Sequence, residues 1–178
     1  MRRVILNLAV SLDGFIEGPN GEYDWCFTDQ DYGMTEFLAG IDTLFLGRKS
    51  FEFMHQQGSA FFSDKSWYVF SKTMTNVSSQ VNLIQDDFEQ AVIKIKNLSG
   101  SNIWLFGGAS LATSFLNAGL VDELLLSIHP IVLGSGKPLF QHLNGRMSFD
   151  LVDTKSYSSG LVQLHYCKLG INCKISTS

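Results

Sequence analysis

Short apolar runs separated by amphipathic segments fill the first 120 residues, and this alternation constrains the fold more than any other feature of the chain. The run at 4–10 is interrupted only by Asn7, and four further runs have the same character: 43–46, 67–70, 82–85 and 103–106. Strands that are apolar along their whole length belong to a sheet covered on both faces. The segments between them have apolar residues at helical spacing and predict the covering helices: 34–39, 49–55, 86–98 and 110–118.

After Leu120 the pattern changes to consecutive strands. Apolar segments at 123–128, 147–152 and 161–167 follow one another, and the turn signal Ser158-Ser159-Gly160 joins the last two. This spacing predicts an antiparallel hairpin that completes the sheet. A parallel first part with an antiparallel finish is an α/β chain with a mixed sheet flanked by helices. We expect one domain over 1–170 and a polar, frayed tail at 171–178.

Composition excludes several classes of function. The 178 residues carry a net charge of -4, and their 13 Lys and Arg form no cluster, which excludes a nucleic-acid surface. No run approaches the roughly 18 apolar residues that span a bilayer, and no signal-peptide cleavage site follows the basic start. We therefore expect a cytoplasmic protein without a membrane partner. The cysteines and histidines lack ligand spacing, which predicts no metal site and three free thiols: Cys26, Cys167 and Cys173.

Two strand-to-helix junctions combine glycine with serine. The first is Gly47-Arg48-Lys49-Ser50, and the second is Phe106-Gly107-Gly108-Ala109-Ser110-Leu111. Helix N-termini present unpaired N–H groups and a positive dipole end, and glycine lets a phosphate approach the backbone. Each junction is equally well explained as an ordinary tight turn. As a pair, they are explained equally well by two tight turns and by a site for the two phosphates of a dinucleotide. Ser110 is the predicted N-cap of its helix, and Asp86 or Asp87 caps the helix before it.

The next strand end adds Ser71 and Lys72. By default these are ordinary surface residues, but beside Arg48 and Lys49 they would form a small basic pocket in an acidic chain. Local positive charge of this kind is what the 2′-phosphate of an adenosine ribose requires.

The exit of the first strand, Ala9 to Ile16, is a further candidate element. Asp13-Gly14 is a turn signal, so Asp13 is either a turn former or a group that acts on a ligand. The polar segment at 17–25 is long enough to be a lid that opens for a ligand. Trp25 at its end either stacks on a bound ring or belongs to the core. His129 in an apolar strand is interpreted as a satisfied core histidine, with catalysis as the alternative.

These motifs resemble the dihydrofolate-reductase-like proteins. The segments 9–14, 47–50 and 107–111 occur in the order that the family shows, and 118–124 followed by 130–136 looks like the reductase branch of riboflavin biosynthesis. The resemblance covers Arg3 to about Lys168. It implies a three-layer fold with a mixed, mainly parallel sheet of about eight strands, an antiparallel C-terminal hairpin and flanking helices. It also implies NADPH bound across the carboxyl edge of the sheet, and a homodimer, which the family often forms.

The resemblance further implies roles for individual residues. Cofactor binding is expected at Gly47, Ser50, Phe106, Gly107, Gly108, Ala109, Ser110 and Leu111, and among these Ser50 and the segment 108–111 would hold the pyrophosphate. The 2′-phosphate is expected at Arg48, Lys49, Ser71 and Lys72. Residues expected beside nicotinamide are Ala9, Ile16 and Trp25, and those expected at the substrate are Asn7, Ser11 and Tyr23. Asp13 is expected to orient the substrate or relay a proton.

Departures from the family pattern concern the substrate more than the cofactor. Phe106 stands where the riboflavin reductases have an acidic residue, Met54 stands where they have Asp, and 54–62 contains no Arg for a ribose phosphate. The acid that dihydrofolate reductases keep after the lid has only Asp29 or Asp31 as counterparts. The resemblance implies an NADPH-dependent oxidoreductase, similar to 5-amino-6-(5-phosphoribosylamino)uracil reductase, that transfers a hydride to a pyrimidine- or pterin-type molecule. A dihydrofolate or pterin reductase and a nucleotide-binding module without turnover are the alternatives.

Overall fold

Ten strands and four helices are seen in the part of the chain that the computed structural model describes, residues 1–56, 62–75, 78, 81–171 and 173. In chain order they are β1 (Val4–Ser11), β2 (Phe15–Glu17), α1 (Met34–Ala39), β3 (Ile41–Gly47), α2 (Arg48–Gln56), β4 (Ser66–Phe70), β5 (Val81–Ile84), α3 (Phe88–Lys96), β6 (Asn102–Gly107), α4 (Ala109–Asn117), β7 (Glu123–His129), β8 (Lys137–Pro138), β9 (Phe149–Ser156) and β10 (Val162–Lys168). Every strand and helix predicted before Leu120 is present, with ends that differ by no more than two residues.

Eight strands form one sheet in the order β5-β4-β3-β6-β1-β7-β10-β9. The strands from β5 to β7 in that order run parallel, whereas β10 is antiparallel to β7 and β9 is antiparallel to β10. The expected mixed, mainly parallel sheet with an antiparallel C-terminal hairpin is confirmed. The parallel strands all end at one edge, the carboxyl edge, and all begin at the opposite edge, the amino edge.

Alternating side chains divide the core into two layers. Leu6 and Leu105 face α3 and α4, and they pack there with the fully buried Phe115. Ile5 and Trp104 belong to the second cluster, which lies on the face covered by α1 and α2. Helices on both faces of one sheet make three layers, and the continuous apolar strands are explained because both of their faces are buried.

The helix starts depart from the prediction. Gly108 occupies the N-cap position of α4, so the predicted cap at Ser110 is wrong. The reason is that β6 continues to Gly107, and the helix begins directly after Gly108. Asp87 does occupy the N-cap position of α3, but its φ is 48° and its side chain makes no capping hydrogen bond. Both helices therefore begin without a side-chain cap, which leaves their first N–H groups to other partners.

Two features near the sheet ends are absent from the sequence pattern. β9 covers Phe149–Ser156 instead of 147–152, because β10 pairs with polar residues as far as Ser156. β2 and β8 form a separate two-stranded sheet, in which Phe15 pairs with Pro138. Strands of two or three residues are too short to show a periodicity, so the sequence pattern could not indicate this sheet.

The prediction of three free thiols is wrong for two of them. Cys167 and Cys173 form a disulfide bond with their Cα atoms 6.2 Å apart, and Cys26 is free. The chain reverses after β10, where Gly170 has a φ of 85°, and this turn returns Cys173 to the end of the strand. The separation of six residues between the two cysteines does not by itself predict a disulfide, because the turn that brings them together is seen only in the folded chain. The predicted frayed tail, 171–178, lies mostly outside the described residues.

Candidate active site

The sheet changes its winding direction between β3 and β6, which are hydrogen-bonded neighbours. β3 continues through α2 to β4 on one side, and β6 continues through α4 to β7 on the other. α2 and α4 also lie on opposite faces of the sheet. A crevice forms at such a switch point, outside the carboxyl ends of the strands, and ligands of open α/β sheets bind there. Both glycine-containing junctions lie at this crevice.

A hydrogen bond joins the two junctions directly. Ser50 Oγ, in the first turn of α2, donates to the carbonyl oxygen of Gly107 at 3.0 Å. Gly47 lies beside the same carbonyl, since an added Cβ would be in ordinary van der Waals contact with it at 3.6 Å. The structure therefore brings together Gly47 and Ser50 from the first junction with Gly107 from the second.

The second junction depends on two consecutive glycines. Gly107 and Gly108 have φ values of 103° and 33°, which L side chains rarely adopt, and they let the chain pass from β6 into α4 without a Cβ in the crevice. The first helical bond of α4 runs from the Ala112 N–H to Gly108 O, so the N–H groups of 109–111 are not used by the helix. Together with the helix dipole, they offer an anion three donors.

The side chains of this junction contribute less than its backbone. Ala109 is fully buried, Leu111 packs against the core that α4 covers, and Ser110 is exposed. The Phe106 ring contacts Trp104 at 4.9 Å in the opposite core layer. A phosphate at this turn would therefore be held by backbone donors and the Ser110 hydroxyl.

The predicted basic residues lie at two adjacent strand ends. Gly47 pairs with Phe70 across β3 and β4, so Arg48 and Ser71 follow side by side. Ser71 Oγ accepts the N–H of Met74 at 3.1 Å, which leaves its O–H proton available as a donor. Arg48 is half exposed, and its Nη1 lies 3.6 Å from Oε1 of Glu52. Arg48 and Ser71 are thus adjacent and accessible to an anion.

Lys72 and Lys49 are placed differently from Arg48. Lys72 lines a hollow of about 360 Å³ together with acidic residues of the α3 start, namely Asp86, Asp87 and Glu89. These carboxylates oppose its charge, so Lys72 is the weakest of the predicted phosphate ligands. Lys49 lies four residues before Phe53 on α2 and therefore on the same helix face, whereas Arg48 shares a face with Glu52.

The exit of β1 is held by Asp13. Its carboxylate accepts the Ser11 hydroxyl at 2.6 Å and the N–H groups of Gly134 and Leu133 at 2.7 and 3.1 Å. The hydrogen bond from Ser11, with the backbone N–H bonds, lowers the pKa of Asp13 below its ordinary value despite some desolvation. This carboxylate is ionised and well satisfied, which favours the turn interpretation; its role toward a substrate stays a prediction. Ser11 Oγ also accepts the Phe15 N–H at 2.9 Å.

The other predicted residues of β1 and β2 divide between the two faces. Asn7, Ala9 and Ser11 alternate with Leu6, so they lie on the face that α1 and α2 cover. The Asn7 side-chain amide contacts Met34 Sδ at 3.8 Å. Ile16, predicted beside nicotinamide, packs against the core of the opposite face. Asn7, Ala9 and Ser11 thus share one side of the crevice, and Ile16 is on the other.

Residues 23–25, which we call the strap, contact α2 at one end and β7 at the other. The Tyr23 ring packs edge-on against Phe53 of α2 at 5.7 Å, and the Trp25 ring packs edge-on against His129 at 5.3 Å. β3, which leads into α2, and β7, which ends at His129, are separated by β6 and β1. At about 4.8 Å per strand, their ends lie roughly 14 Å apart. The strap therefore links α2, which follows β3, to the end of β7 through two ring contacts.

His129 anchors one end of the strap. The side chain is 3% exposed, its Nδ1 is bonded to Ser127 O at 3.0 Å, and its Nε2 accepts the Phe27 N–H at 3.1 Å. Burial lowers the pKa of His129 below 6.5, although the Ser127 carbonyl opposes this change. A neutral, satisfied imidazole matches the core interpretation. The Trp25 indole N–H is buried and has no hydrogen-bond partner within the described ranges.

Two other kinds of site, a membrane-spanning helix and a metal centre, are absent from the described residues. No helix there has the length and apolar character to cross a bilayer. No group of three or more His, Cys, Asp or Glu side chains that could hold a metal ion occurs there either. A second hollow, of about 560 Å³, lies at the amino edge beside Gly119 and Lys168, away from the crevice.

Comparisons with known proteins extend to the whole domain. The family model described as the RibD C-terminal domain matches residues 2–163. The uncharacterized protein YyaP of Bacillus subtilis (strain 168) is 49% identical in an alignment of 177 positions that covers 93% of this chain and 94% of the relative.

Solved structures agree with this match. A candidate riboflavin biosynthesis protein from Shewanella sp. PV-4 has a TM-score of 0.80 at 27% identity, over 93% of this chain and 98% of that one. A dihydrofolate reductase from Enterococcus faecalis, complexed with NADP(H), has a TM-score of 0.69 at 16% identity, over 94% and 96% of the two chains, which shows a shared fold. These findings confirm the resemblance and the fold that the motifs indicated.

Proposed function

The chain belongs to the RibD C-terminal domain family, and from that premise we propose that it is an NADPH-dependent reductase of a pyrimidine- or pterin-type small molecule. One observation carries the proposal: the Ser50–Gly107 hydrogen bond, which joins two helix N-termini at the switch point of the sheet. Two positive helix ends side by side suit the two negative phosphates of a dinucleotide. The proposed setting is the cytoplasm, and the homodimer expected from the resemblance stays a prediction.

The crevice fits a dinucleotide in its geometry. The Gly107-Gly108 turn provides a surface without side chains, and the open N–H groups of 109–111 provide donors for the pyrophosphate. Arg48 and the Ser71 hydroxyl provide a separate donor pair for a 2′-phosphate beside β4. When bound, NADPH supplies the hydride from C4 of its nicotinamide ring.

Other residues of the chain would position the substrate and exclude water. The role that we assign to the strap, which links α2 to the end of β7, is to cover the crevice and hold a flat substrate against the cofactor. Asp13 is ionised and bonded to residues 133–134, so we assign it the task of holding this loop beside the crevice. Asn7 is 7% exposed and would contact the substrate from below through its amide.

A dihydrofolate reductase is the less favoured alternative because both candidate acids are engaged within their own loop. Asp29 accepts the Tyr32 O–H at 2.7 Å. Asp31 accepts both the O–H and the N–H of Thr35, at 2.6 and 3.0 Å, and these bonds lower its pKa. Asp31 thus stabilises the first turn of α1, and Asp29 holds the Tyr32 side chain just before it; neither role requires a substrate.

The test is a pair of glycine substitutions. We expect Gly108→Val to weaken NADPH binding by at least tenfold, because a branched side chain would occupy the phosphate surface. Gly170→Val is the matched control, since Gly170 also has a positive φ, of 85°, with open space around it at the far edge of the sheet. Both changes place an L residue at a positive φ, which costs on the order of 1–3 kcal/mol, and Gly108 has a φ of 33° and a ψ of 152°, outside the left-handed helical region; the unfolding midpoint of each variant is therefore measured before its affinity. Equal NADPH affinity in the two folded variants would refute the phosphate site.

Turnover separates an enzyme from a binding module. Wild-type protein is titrated with NADPH, and its oxidation is then followed with a panel of pterins and pyrimidines. Binding together with NADPH consumption supports the reductase. Binding without consumption across the whole panel would favour the nucleotide-binding module, which the altered residues Met54 and Phe106 leave as the alternative.

A further inference from the structure

The imidazole ring of His129 lies between two backbone groups of opposite kinds. Its Nδ1 lies 3.0 Å from the carbonyl oxygen of Ser127, and its Nε2 lies 3.1 Å from the backbone nitrogen of Phe27. A carbonyl oxygen accepts hydrogen bonds and an amide N–H donates them, so Nδ1 carries the proton and Nε2 has the free lone pair. The two contacts together therefore fix His129 as one neutral tautomer.

Protonation of this ring is incompatible with the Phe27 contact. A proton taken from water would add to the Nε2 lone pair, and Nε2 would then present an N–H to the Phe27 N–H. Two donors that face each other repel, so this hydrogen bond is lost, and no bond between heavier atoms forms or breaks. The bond to Ser127 remains, because Nδ1 donates in both states. The charge of His129 therefore acts on the loop that contains Phe27 and not on β7 itself.

The neutral ring attaches residues 25–27 to the end of β7. The Trp25 ring packs edge-on against the imidazole at 5.3 Å, and the Phe27 ring packs against it at 5.0 Å. The Phe27 N–H adds the hydrogen bond described above. Between these two residues, the Cys26 N–H donates to Tyr23 O at 3.0 Å, a bond within the same loop. Loss of the imidazole contact would therefore free residues 25–27 together.

No carboxylate contacts the imidazole in the described part of the chain. The titratable groups in the elements packed against it are Asp13 at the exit of β1, and Asp24, Cys26, Asp29, Asp31 and Tyr32 in the loop. Asp13 is bonded to Ser11, and Asp29 accepts the Tyr32 O–H. Asp31 is bonded to Thr35 and attracted by Lys155 of β9. The adjacent end of β10 carries the uncharged Val162 and Gln163.

Burial therefore dominates the electrostatics of His129. It lowers the pKa of the imidazole below 6.5, although the Ser127 carbonyl opposes this change. Burial, with the charge of Asp24, also raises the pKa of the Cys26 thiol to about 11, so this neighbour stays neutral when the imidazole titrates. Histidine is the residue whose ordinary pKa places its charge change between pH 5 and 8.

We propose that His129 is a pH-sensitive latch: the neutral ring holds residues 25–27 against the end of β7, and the protonated ring releases them. The inference does not depend on the cofactor or substrate of the proposed function. Because the side chain is 3% exposed, it gains a proton from water when the loop opens, so opening and protonation are coupled. The stability that the latch provides is complete above the ordinary histidine pKa of about 6.5, and it is lost as the pH falls through that value toward the lower pKa of the folded protein.

The experiment is amide hydrogen exchange of the Phe27 N–H, followed by NMR on the full chain. An open state that binds the proton becomes about tenfold more populated, relative to the closed state, between about pH 7.5 and pH 5.5. We expect the protection factor of Phe27, which corrects for the intrinsic exchange rate, to fall about tenfold over this range. His129→Gln should show no such dependence, because an amide does not titrate. The matched control His142→Gln, at an exposed histidine, should retain it.

Two further measurements use the wild-type protein and do not depend on how the variants fold. About 1 M urea should leave the protection factor of Phe27 nearly unchanged, because a local opening exposes little surface, whereas global unfolding responds strongly to urea. An NMR titration of the His129 ring should give a pKa below 6.5. The unfolding midpoint of each variant verifies that its fold is retained.

Any one of five results would overturn the proposal. Three concern the wild type: a Phe27 protection factor that does not change with pH, a strong effect of urea on that factor, and a His129 pKa at or above 6.5. The last would mean that the Trp25 and Phe27 rings stabilise the charged imidazole. The other two are an unchanged pH dependence in folded His129→Gln and a lost pH dependence in His142→Gln.

Discussion

The two edges of the sheet use charge in opposite ways. At the amino edge, Lys96 Nζ donates to both carboxylate oxygens of Asp122 at 2.6 and 2.9 Å, and both residues are buried. Arg3 and His165 bind the buried Glu123 at 2.6 and 2.7 Å. At the carboxyl edge, Arg48 is half exposed and makes only a distant pair.

This difference separates stability from binding. Buried charges that satisfy one another join the strand starts and have no capacity left for a ligand, and removing one partner leaves the other uncompensated. Exposed cations and open helix N–H groups add little to stability but remain able to bind an anion. Substitutions at the amino edge should therefore change unfolding, and those at the carboxyl edge should change affinity.

The largest effect is expected for Asp122→Ala. Asp122 accepts the Val4 N–H at 2.7 Å as well as both bonds from Lys96, so the change leaves a buried ammonium without a partner. We expect a loss of about 3–5 kcal/mol in the free energy of unfolding, measured by urea titration. Glu52→Ala at the carboxyl edge is the control and should cost less than about 1 kcal/mol. Similar losses for the two variants would mean that the edges do not differ.

The next effect is on cofactor choice. Arg48→Ala should weaken NADPH binding about tenfold and leave NADH binding nearly unchanged, because a charge-assisted hydrogen bond to the 2′-phosphate is lost. Lys49→Ala should weaken both cofactors equally, since Lys49 lies on the helix face of Phe53 and nearer the pyrophosphate. The dissociation constants of NADPH and NADH at low and high salt measure these effects. Lys94→Ala is the control, because Lys94 is an exposed residue of α3. Equal losses of the two cofactors in Arg48→Ala would remove the 2′-phosphate assignment.

Ser50→Ala tests the link between the two junctions. Loss of the hydrogen bond to Gly107 O should cost about 0.5–1.5 kcal/mol of stability and also lower NADPH affinity, because the two helix starts lose their alignment. Ser114→Ala is the matched control, since its exposed hydroxyl bonds only to Ser110 O within the same helix. A Ser50 variant with unchanged affinity would show that the bond is structural alone.

The smallest effect is expected for the pH dependence of the stability that Glu123 provides at the amino edge. Burial raises the pKa of Glu123, but hydrogen bonds and charges from His165 and Arg3 outweigh it and hold the pKa below 4.5. A lowered folded-state pKa gives stability that is present above the unfolded pKa and is lost as the pH falls below about 4.5. The difference in the free energy of unfolding between wild type and Glu123→Gln should therefore become smaller below that pH. Urea titrations from pH 7 to pH 3 measure it, and a constant deficit would contradict the assignment.

Local sequence patterns were sufficient for most of the secondary structure. The apolar runs and the helical spacing depend on near neighbours in the chain, so every element predicted before Leu120 is present. The one wrong helix cap and the one missed sheet also have local causes. The cap at Ser110 was wrong because strand β6 reaches Gly107, and the β2–β8 sheet was missed because its strands are too short to show a period.

The site was predictable as a set of candidates but not as an arrangement. Glycine, serine and basic residues at 47–50 and 106–111 indicated phosphate chemistry, because those residue types determine what a helix start can bind. The sequence could not show that Lys72 lies among carboxylates or that Ile16 packs on the opposite face. Those facts depend on which strands become neighbours.

Contacts between residues far apart in the sequence determine the features that local patterns did not predict. Ser50 meets Gly107 across 57 residues, and Asp13 meets Gly134 across 121. The strap links α2 to β7 because Tyr23 packs against Phe53 and Trp25 packs against His129, and the Cys167–Cys173 bond forms because the chain reverses at Gly170. Periodicity and turn residues act through adjacent positions, whereas strand order follows from burying all apolar faces at once, which only the folded chain accomplishes.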